Sequence, residues 1–122
     1  MEVIKGDLEG LLIFQPRVFT DNRGYFFESF NQEKFNKLTG LEVQFCQDNE
    51  SLSNKDVIRG LHFQKPPFAQ GKLVRVISGR VLDVAVDIRK SSPTYGKYEL
   101  VELSGENKKI SSIISKNSRL KN

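Results

Sequence analysis

The single histidine, His62, stands in DVIRGLHFQKPPFAQGK, a stretch that reads as a strand ending at Pro66-Pro67. An imidazole titrates near neutral pH, so among the side chains present it is the best proton acceptor. Taken alone, a lone strand histidine is more often a packed or surface residue than a catalyst. Lys72 and Asp83 are the second pair of interest. Lys72 immediately precedes LVRVISGRVLDVAVDI and Asp83 lies within it, and Ser78-Gly79 there can form a two-residue hairpin turn. Such a turn sets Lys72 opposite Ala85 and Val74 opposite Asp83, which makes Lys72 and Asp83 diagonal neighbours on one face. Two readings stay open: a structural ion pair on a sheet face, or a lysine aimed into a barrel mouth and oriented by an aspartate. Arg59 precedes His62 by three residues and faces the opposite side of a regular strand. A bulge at Gly60 would turn both inward, and without one Arg59 is an exterior residue. One histidine and one cysteine are too few for an ordinary structural zinc site, so the chemistry is expected to proceed without a protein-held metal. Cys46 has no partner for an internal disulfide and reads as a small strand residue.

The elements that must position these groups read as strands. Period-two segments of β-branched and aromatic residues, bounded by Gly, Pro, Asn and Asp, predict strands near 11–19, 24–30, 43–49, 57–64, 71–78, 80–88 and 95–103. One helix is expected, near 32–39. It starts after Asn31 as N-cap, presents Phe35 and Leu38 on one face and stops at Gly40. Short strands at this spacing predict a sandwich or barrel in one domain, as the length of 122 residues also implies.

Charge and hydropathy exclude several function classes. The net charge is +4, but residues 107–122 carry Lys108, Lys109, Lys116, Arg119 and Lys121 with no acid, leaving 14 basic and 15 acidic residues in 1–106. The body is therefore neutral, and no nucleic-acid partner is expected. No apolar run approaches the length that spans a bilayer, and the first residues do not open like a signal peptide, so no membrane partner and a cytoplasmic location are expected. All twelve Phe and Tyr lie between Phe14 and Tyr98, which separates the basic end from the rest by composition as well.

Four strings carry a more specific signal: DNRGYFFESF, CQDNESLS, VIRGLHFQ and QGKLVRVISGRVLDVAVDIRKSSPTYGKY. In order and spacing, residues of about 1–109 resemble the dTDP-4-dehydrorhamnose 3,5-epimerases, nucleotide-sugar epimerases of dTDP-L-rhamnose biosynthesis. The resemblance implies an all-β, cupin-like jelly roll (double-stranded β-helix), a homodimer, and no metal or organic cofactor. The implied substrate is dTDP-4-keto-6-deoxyglucose, a dTDP-4-keto-6-deoxy sugar inverted at carbons 3 and 5. Both carbons neighbour the carbon-4 ketone, so each proton becomes removable once the enolate is stabilised.

By position, His62 matches the family's base and Lys72 the cation beside the sugar carbonyl. Arg23, Phe26, Glu28, Gln47, Asn49 and Arg59 resemble the substrate-binding set, the arginines suiting the diphosphate. The resemblance also implies that the Arg23–Glu28 segment is contributed across the dimer. Asp83 resembles a residue that supports the site through a second histidine, and His62 is the only histidine here.

Family members continue through strands that complete the jelly roll and carry a tyrosine proton donor, that second histidine and an aspartate partner of the base. ISSIISKNSRLKN, from Ile110 onward, contains no Tyr, His, Asp or Glu. The expectation is an incomplete jelly roll over 1–109 and a disordered, basic, non-family tail over 110–122, from an interrupted gene. Such a chain exposes sheet edges and apolar residues such as Leu82, Val84, Val86 and Ile88, and is marginally stable. It exchanges α protons slowly and does not invert efficiently. Two other functions remain open: a related sugar-nucleotide 3,4-ketoisomerase, and a non-catalytic module that binds thymidine-nucleotide sugars.

Overall fold

Leu11-Leu12-Ile13-Phe14 is apolar at successive positions, so an extended chain there offers an apolar surface to both sides. The structure uses both. The computed structural model describes residues 1–63 and 71–113. Its elements are β1 (Glu2–Lys5), β2 (Leu11–Gln15), β3 (Val18–Asp21), β4 (Gly24–Phe27), α1 (Gln32–Thr39), β5 (Lys72–Arg75), β6 (Arg80–Val86), β7 (Tyr98–Ser104) and β8 (Ile110–Ile113). One antiparallel sheet has the order β1-β2-β8-β5, and β3-β4 and β6-β7 form two-stranded sheets. The all-β expectation with one short helix holds, and among the described residues the strands form open sheets rather than a closed barrel.

Phe14 faces one side of β2 and packs with Phe35 of α1 and Ile110 of β8. Ile13 faces the other and packs with Val101 and Leu103 of β7. Leu11, on the Ile13 side by alternation, meets Leu8 and Ala85 of β6. The four-stranded sheet is thus a middle layer, with the helix on one face and β6-β7 on the other. Full burial of one large apolar side chain contributes about 1.5–3 kcal/mol, so residues such as Phe14 and Leu103 weigh heavily.

The helix starts and stops where its capping residues say it should. Asn31 is extended, and its side chain accepts from the Lys34 amide at 3.0 Å. Gly40 takes the left-handed conformation (φ 69°) and its N–H donates to the Asn36 carbonyl at 2.9 Å. Phe35 is buried against Phe14 and Phe45, with ring centroids 5.4 and 5.3 Å away. Leu38, expected on that same face, is instead exposed. Asn31→Ala is expected to lower unfolding free energy by about 1 kcal/mol, measured by urea titration, with unchanged slope; no change would place the helix start elsewhere.

Four expectations are corrected. The stretch 11–19 is broken at Pro16, which has no amide to donate, into β2 and β3. The expected Ser78-Gly79 hairpin does not form. Residues 77–79 make a bend that sends β6 into the opposite layer, so β5 pairs with β8 and β6 with β7. Gly105 seals that bend by donating to the Gly79 carbonyl at 3.1 Å, and a Cβ on Gly105 would lie 2.5 Å from the Ile77 carbonyl oxygen. The described parts of 43–49 and 57–64 form no strand. Finally, the chain does not leave the fold at Lys109. Ile110–Ile113 is the inner strand between β2 and β5, with Ser111 and Ser112 fully buried. Gln64, Pro66, Pro67 and the tail beyond Ile113 lie outside the described residues.

The loop after β6 is closed around a buried carboxylate. Asp87, 4% exposed, accepts from the Arg89 guanidinium at 3.0 Å through each oxygen, and from Ser92 and Thr94 hydroxyls at 2.5 Å. Arg89 also donates to the Glu9 carbonyl at 2.5 Å, tying this loop to the β1-β2 connection.

Candidate functional site

Lys72 opens β5. Val74, two residues on, packs with Ile13, and alternation therefore puts Lys72 on the face of the middle sheet that looks toward β6-β7. It is paired in register with Ile113, which is itself opposite Leu11. Asp83 approaches the same intersheet space from the other layer. Its carboxylate accepts from the buried Ser111 hydroxyl at 2.7 Å, so a buried polar group of β8 finds its partner on β6. The sequence placed Lys72 and Asp83 on one face of a single hairpin. They instead sit on opposed sheets, and among the described residues no ion pair joins them.

His62, Arg59, Gln47 and Asn49 lie on the non-strand segment that leaves the helix side at Phe45. All four are exposed. Arg59 is held locally, donating from Nε to the Ser53 hydroxyl at 2.8 Å and from Nη2 to the Leu52 carbonyl at 3.4 Å. Gly60 has φ 101°, a conformation that favours glycine, and a Cβ there would stand 3.4 Å from His62 Nδ1. The expected strand bulge is replaced by this turn in a segment without a strand. Among the described residues no hydrogen bond joins His62, Gln47 or Asn49 to the rest of the chain.

The third group rides on the β3-β4 hairpin and its exit. Arg23 pairs with Asp21 at 2.6 Å, and the same guanidinium, with the Arg23 amide, holds the Asp21 carboxyl below its ordinary range. Glu28 accepts from Lys34 at 3.0 Å and from Asn31 at 3.3 Å, and the Lys34 ammonium first, then Asn31, holds its carboxyl low. Both carboxylates are fully ionised at neutral pH. Phe26 is 71% exposed, paired with Phe19. Lys108, which sequence reasoning did not single out, lies 4.0 Å over the Tyr25 ring and anchors the hairpin to the β7-β8 connection. Its run of basic neighbours gave no hint of this, since the contact is long-range. Ser111 was missed for a similar reason: ISSI has no period-two pattern.

The structure therefore brings Lys72 and Asp83 to one intersheet space and leaves His62, the hairpin group and the Gln47–Arg59 group on exposed surfaces. Chemically, these are an imidazole, an ammonium, two arginines and side-chain amides, a set able to take a proton, stabilise an oxyanion and hold a diphosphate. Among the described residues no three His, Cys, Asp or Glu side chains cluster as a metal ion would need. No helix among them is long and apolar enough to cross a membrane.

Comparison with known proteins identifies the framework. The family model described as dTDP-4-dehydrorhamnose 3,5-epimerase matches residues 5–116, past the limit at Lys109 expected from the sequence. The enzyme of that name from Shigella flexneri is 60% identical over 109 residues, covering 89% of this chain and 60% of the relative. The one from Escherichia coli K12 is 55% identical over 108 residues, covering 88% and 58%. Among solved structures, the Elizabethkingia anophelis epimerase superposes with a TM-score of 0.86 at 50% identity, covering 93% of this chain and 62% of that one. A Legionella pneumophila dTDP-6-deoxy-D-glucose-3,5-epimerase, solved with dTDP-4-keto-L-rhamnose, gives 0.87 at 46% identity, covering 92% and 59%. The expected cupin-like jelly-roll framework is thereby the one this chain shares, and the chain spans about three fifths of the length of the relatives it matches. With the family model, the curated relatives and the solved neighbours in agreement, the chain belongs to the dTDP-4-dehydrorhamnose 3,5-epimerase family.

Proposed function

We propose that this chain acts on a dTDP-4-keto-6-deoxy sugar as a 3,5-epimerase, with His62 as base and Lys72 as the group that stabilises the enolate. The observation that carries the reading is the family match over residues 5–116, supported by relatives of that name at 55–60% identity. His62 takes the proton from the carbon next to the ketone, and the electron pair moves to the carbonyl oxygen. The Lys72 ammonium meets the developing charge. A proton from solvent water, returned to the opposite face, inverts the centre. Arg23 and Arg59 present paired donors to the diphosphate, while Gln47, Asn49, Glu28 and Phe26 contact nucleotide and sugar. Asp83 supports the site from the opposite layer.

No cofactor enters this reaction, since proton transfer beside a ketone needs only a base, an acid and an oxyanion partner. The exposure of Phe26 and of the Arg23 loop supports assembly with a second copy, to which this hairpin would contribute its side chains. A cytoplasmic site of action follows from a nucleotide-sugar substrate. The proposed domain runs through Ile113 rather than ending at Lys109.

Product stereochemistry tests the activity. After long incubation of the folded chain with dTDP-4-keto-6-deoxyglucose, NMR is expected to show slow inversion at carbons 3 and 5. Inversion at carbon 3 alone would favour a narrower reading, which the likeness to a 3′-monoepimerase from Streptomyces bikiniensis raises (TM-score 0.83, 31% identity). Transfer of the keto group would instead identify a 3,4-ketoisomerase. Unchanged sugar with saturable dTDP binding would leave a non-catalytic binding module.

A further inference from the structure

The connection between β7 and β8 holds a backbone conformation that its residue does not favour. Lys108 has φ 56°, in the left-handed region, and carries a long side chain. Such a conformation costs energy at a non-glycine residue and persists only where its surroundings over-determine it. Asn107 supplies much of that determination. Its Oδ1 accepts from the Ser104 amide at 3.1 Å and the Lys109 amide at 2.9 Å, and its Nδ2 donates to the Glu102 carbonyl at 3.0 Å. Gln15 donates to the Asn107 carbonyl at 2.9 Å, and the Lys108 amide to the Ser104 carbonyl at 3.0 Å. With Leu103 and Ile110 buried on either side, the turn is a fixed mount on the core.

What this mount presents is the Lys108 ammonium, on a half-buried side chain. It donates to the Gly105 carbonyl at 2.6 Å and stands 4.0 Å from the Tyr25 ring centroid and 6.0 Å from that of Phe27. Those two rings share one face of β4, while Phe26 lies on the other, opposite Phe19. The contact matters because the hairpin has few others. Among the described residues no hydrogen bond or ion pair joins residues 17–27 to another part of the chain, and none of them belongs to a buried core cluster.

We propose that Lys108 is the positioning residue of the β3-β4 hairpin. Its ammonium selects the Tyr25 and Phe27 face as the seated one, and so turns Phe26 outward and sets the Arg23 turn where it meets the nucleotide. Lys108 itself touches no substrate. The functional half of this inference rests on the epimerase reading, in which Arg23 holds the diphosphate, and the seating of the hairpin does not.

The free chain is tested first, by amide exchange. Lys108→Met keeps the aliphatic length and removes the charge. Exchange at residues 18–27 is then expected to rise about threefold to tenfold, with β2 and β8 unchanged. Lys108→Gly suits the backbone and removes the side chain, so it is expected to loosen the hairpin equally while the urea midpoint stays or rises. Lys108→Arg, still a cation, is expected to restore wild-type exchange. Affinity for dTDP is expected to fall about threefold to tenfold with Met and Gly and to return with Arg, while deuterium uptake into saturating dTDP-4-keto-6-deoxyglucose keeps its wild-type rate. Unchanged hairpin exchange in Lys108→Met overturns the proposal. So does a rise that spreads to β2 and β8, which would make Lys108 a stabiliser of the whole fold. A loosened hairpin with unchanged dTDP affinity overturns the functional half. A loosened hairpin in a chain whose wild type binds no dTDP upholds the seating and overturns the epimerase reading instead.

Discussion

Asp87→Ala is expected to lower the unfolding free energy by about 3 kcal/mol, the low end of the loss on breaking a buried ion pair, because Arg89 keeps about a quarter of its side chain in water. Alanine leaves the guanidinium and the Ser92 and Thr94 hydroxyls without their common acceptor, and frees the loop from the β1-β2 connection. A domain of this size has about 5–15 kcal/mol in all, so the effect is a large share. Urea unfolding reads it as a lower midpoint at constant slope, and a change under 1 kcal/mol would contradict it.

The same carboxylate sets an acid limit. The Arg89 guanidinium holds Asp87 far below the usual carboxylate range, against the opposing effect of burial, with Ser92 and Thr94 adding to it. A group whose folded pKa is depressed contributes fully above its unfolded value, near ~3.9, and loses that contribution as pH falls toward the folded value. The wild-type chain is thus expected to lose stability below about pH 4, and Asp87→Asn to flatten that part of the profile. Arg89 moves the opposite way, upward, for the same reason, and stays charged throughout.

The second large effect concerns the chemistry. His62→Ala is expected to slow removal of the sugar's α protons by about 10²–10⁴, the span of general base catalysis. Lys72→Met should cost about 10²–10³ through the lost oxyanion partner. Neither is expected to change dTDP affinity much, whereas Arg59→Ala should weaken binding and leave the rate at saturation nearly intact. Equal loss of affinity in all three variants would show that the substitutions disturb the fold rather than the reaction.

How far the sequence was legible follows from where each element gets its stability. The helix was readable because Asn31, Phe35 and Gly40 act within a few residues of one another. The β6 and β7 strands were readable by alternation, and their outward row of Leu82, Val84 and Val86 is exposed as expected. The Ser78-Gly79 hairpin failed because a turn motif specifies a local geometry, while the choice of strand partner is made by distant residues. Here β8 supplies the partner for β5, and nothing periodic in ISSI announces it.

The 57–64 stretch shows the converse case. Val57, Ile58, Leu61 and Phe63 have the composition of a strand, but a strand is a pairing, and the described residues offer none. For the site, alternation made Lys72 and Asp83 diagonal neighbours on one hairpin face, whereas the structure sets them on opposed sheets. His62 and the residues proposed to bind substrate are nominated only by their strings, because among the described residues no pair of them makes a contact that local pattern encodes.

Whether His62 and Lys72 on this chain are the base and the enolate-stabilising group of an epimerase site is read from solvent-proton exchange. The folded chain is incubated with dTDP-4-keto-6-deoxyglucose in heavy water, and deuterium at carbons 3 and 5 is read by mass spectrometry and NMR. Incorporation is expected at both carbons and is expected to disappear with His62→Ala. A folded chain that binds dTDP yet leaves both positions protonated would contradict that assignment.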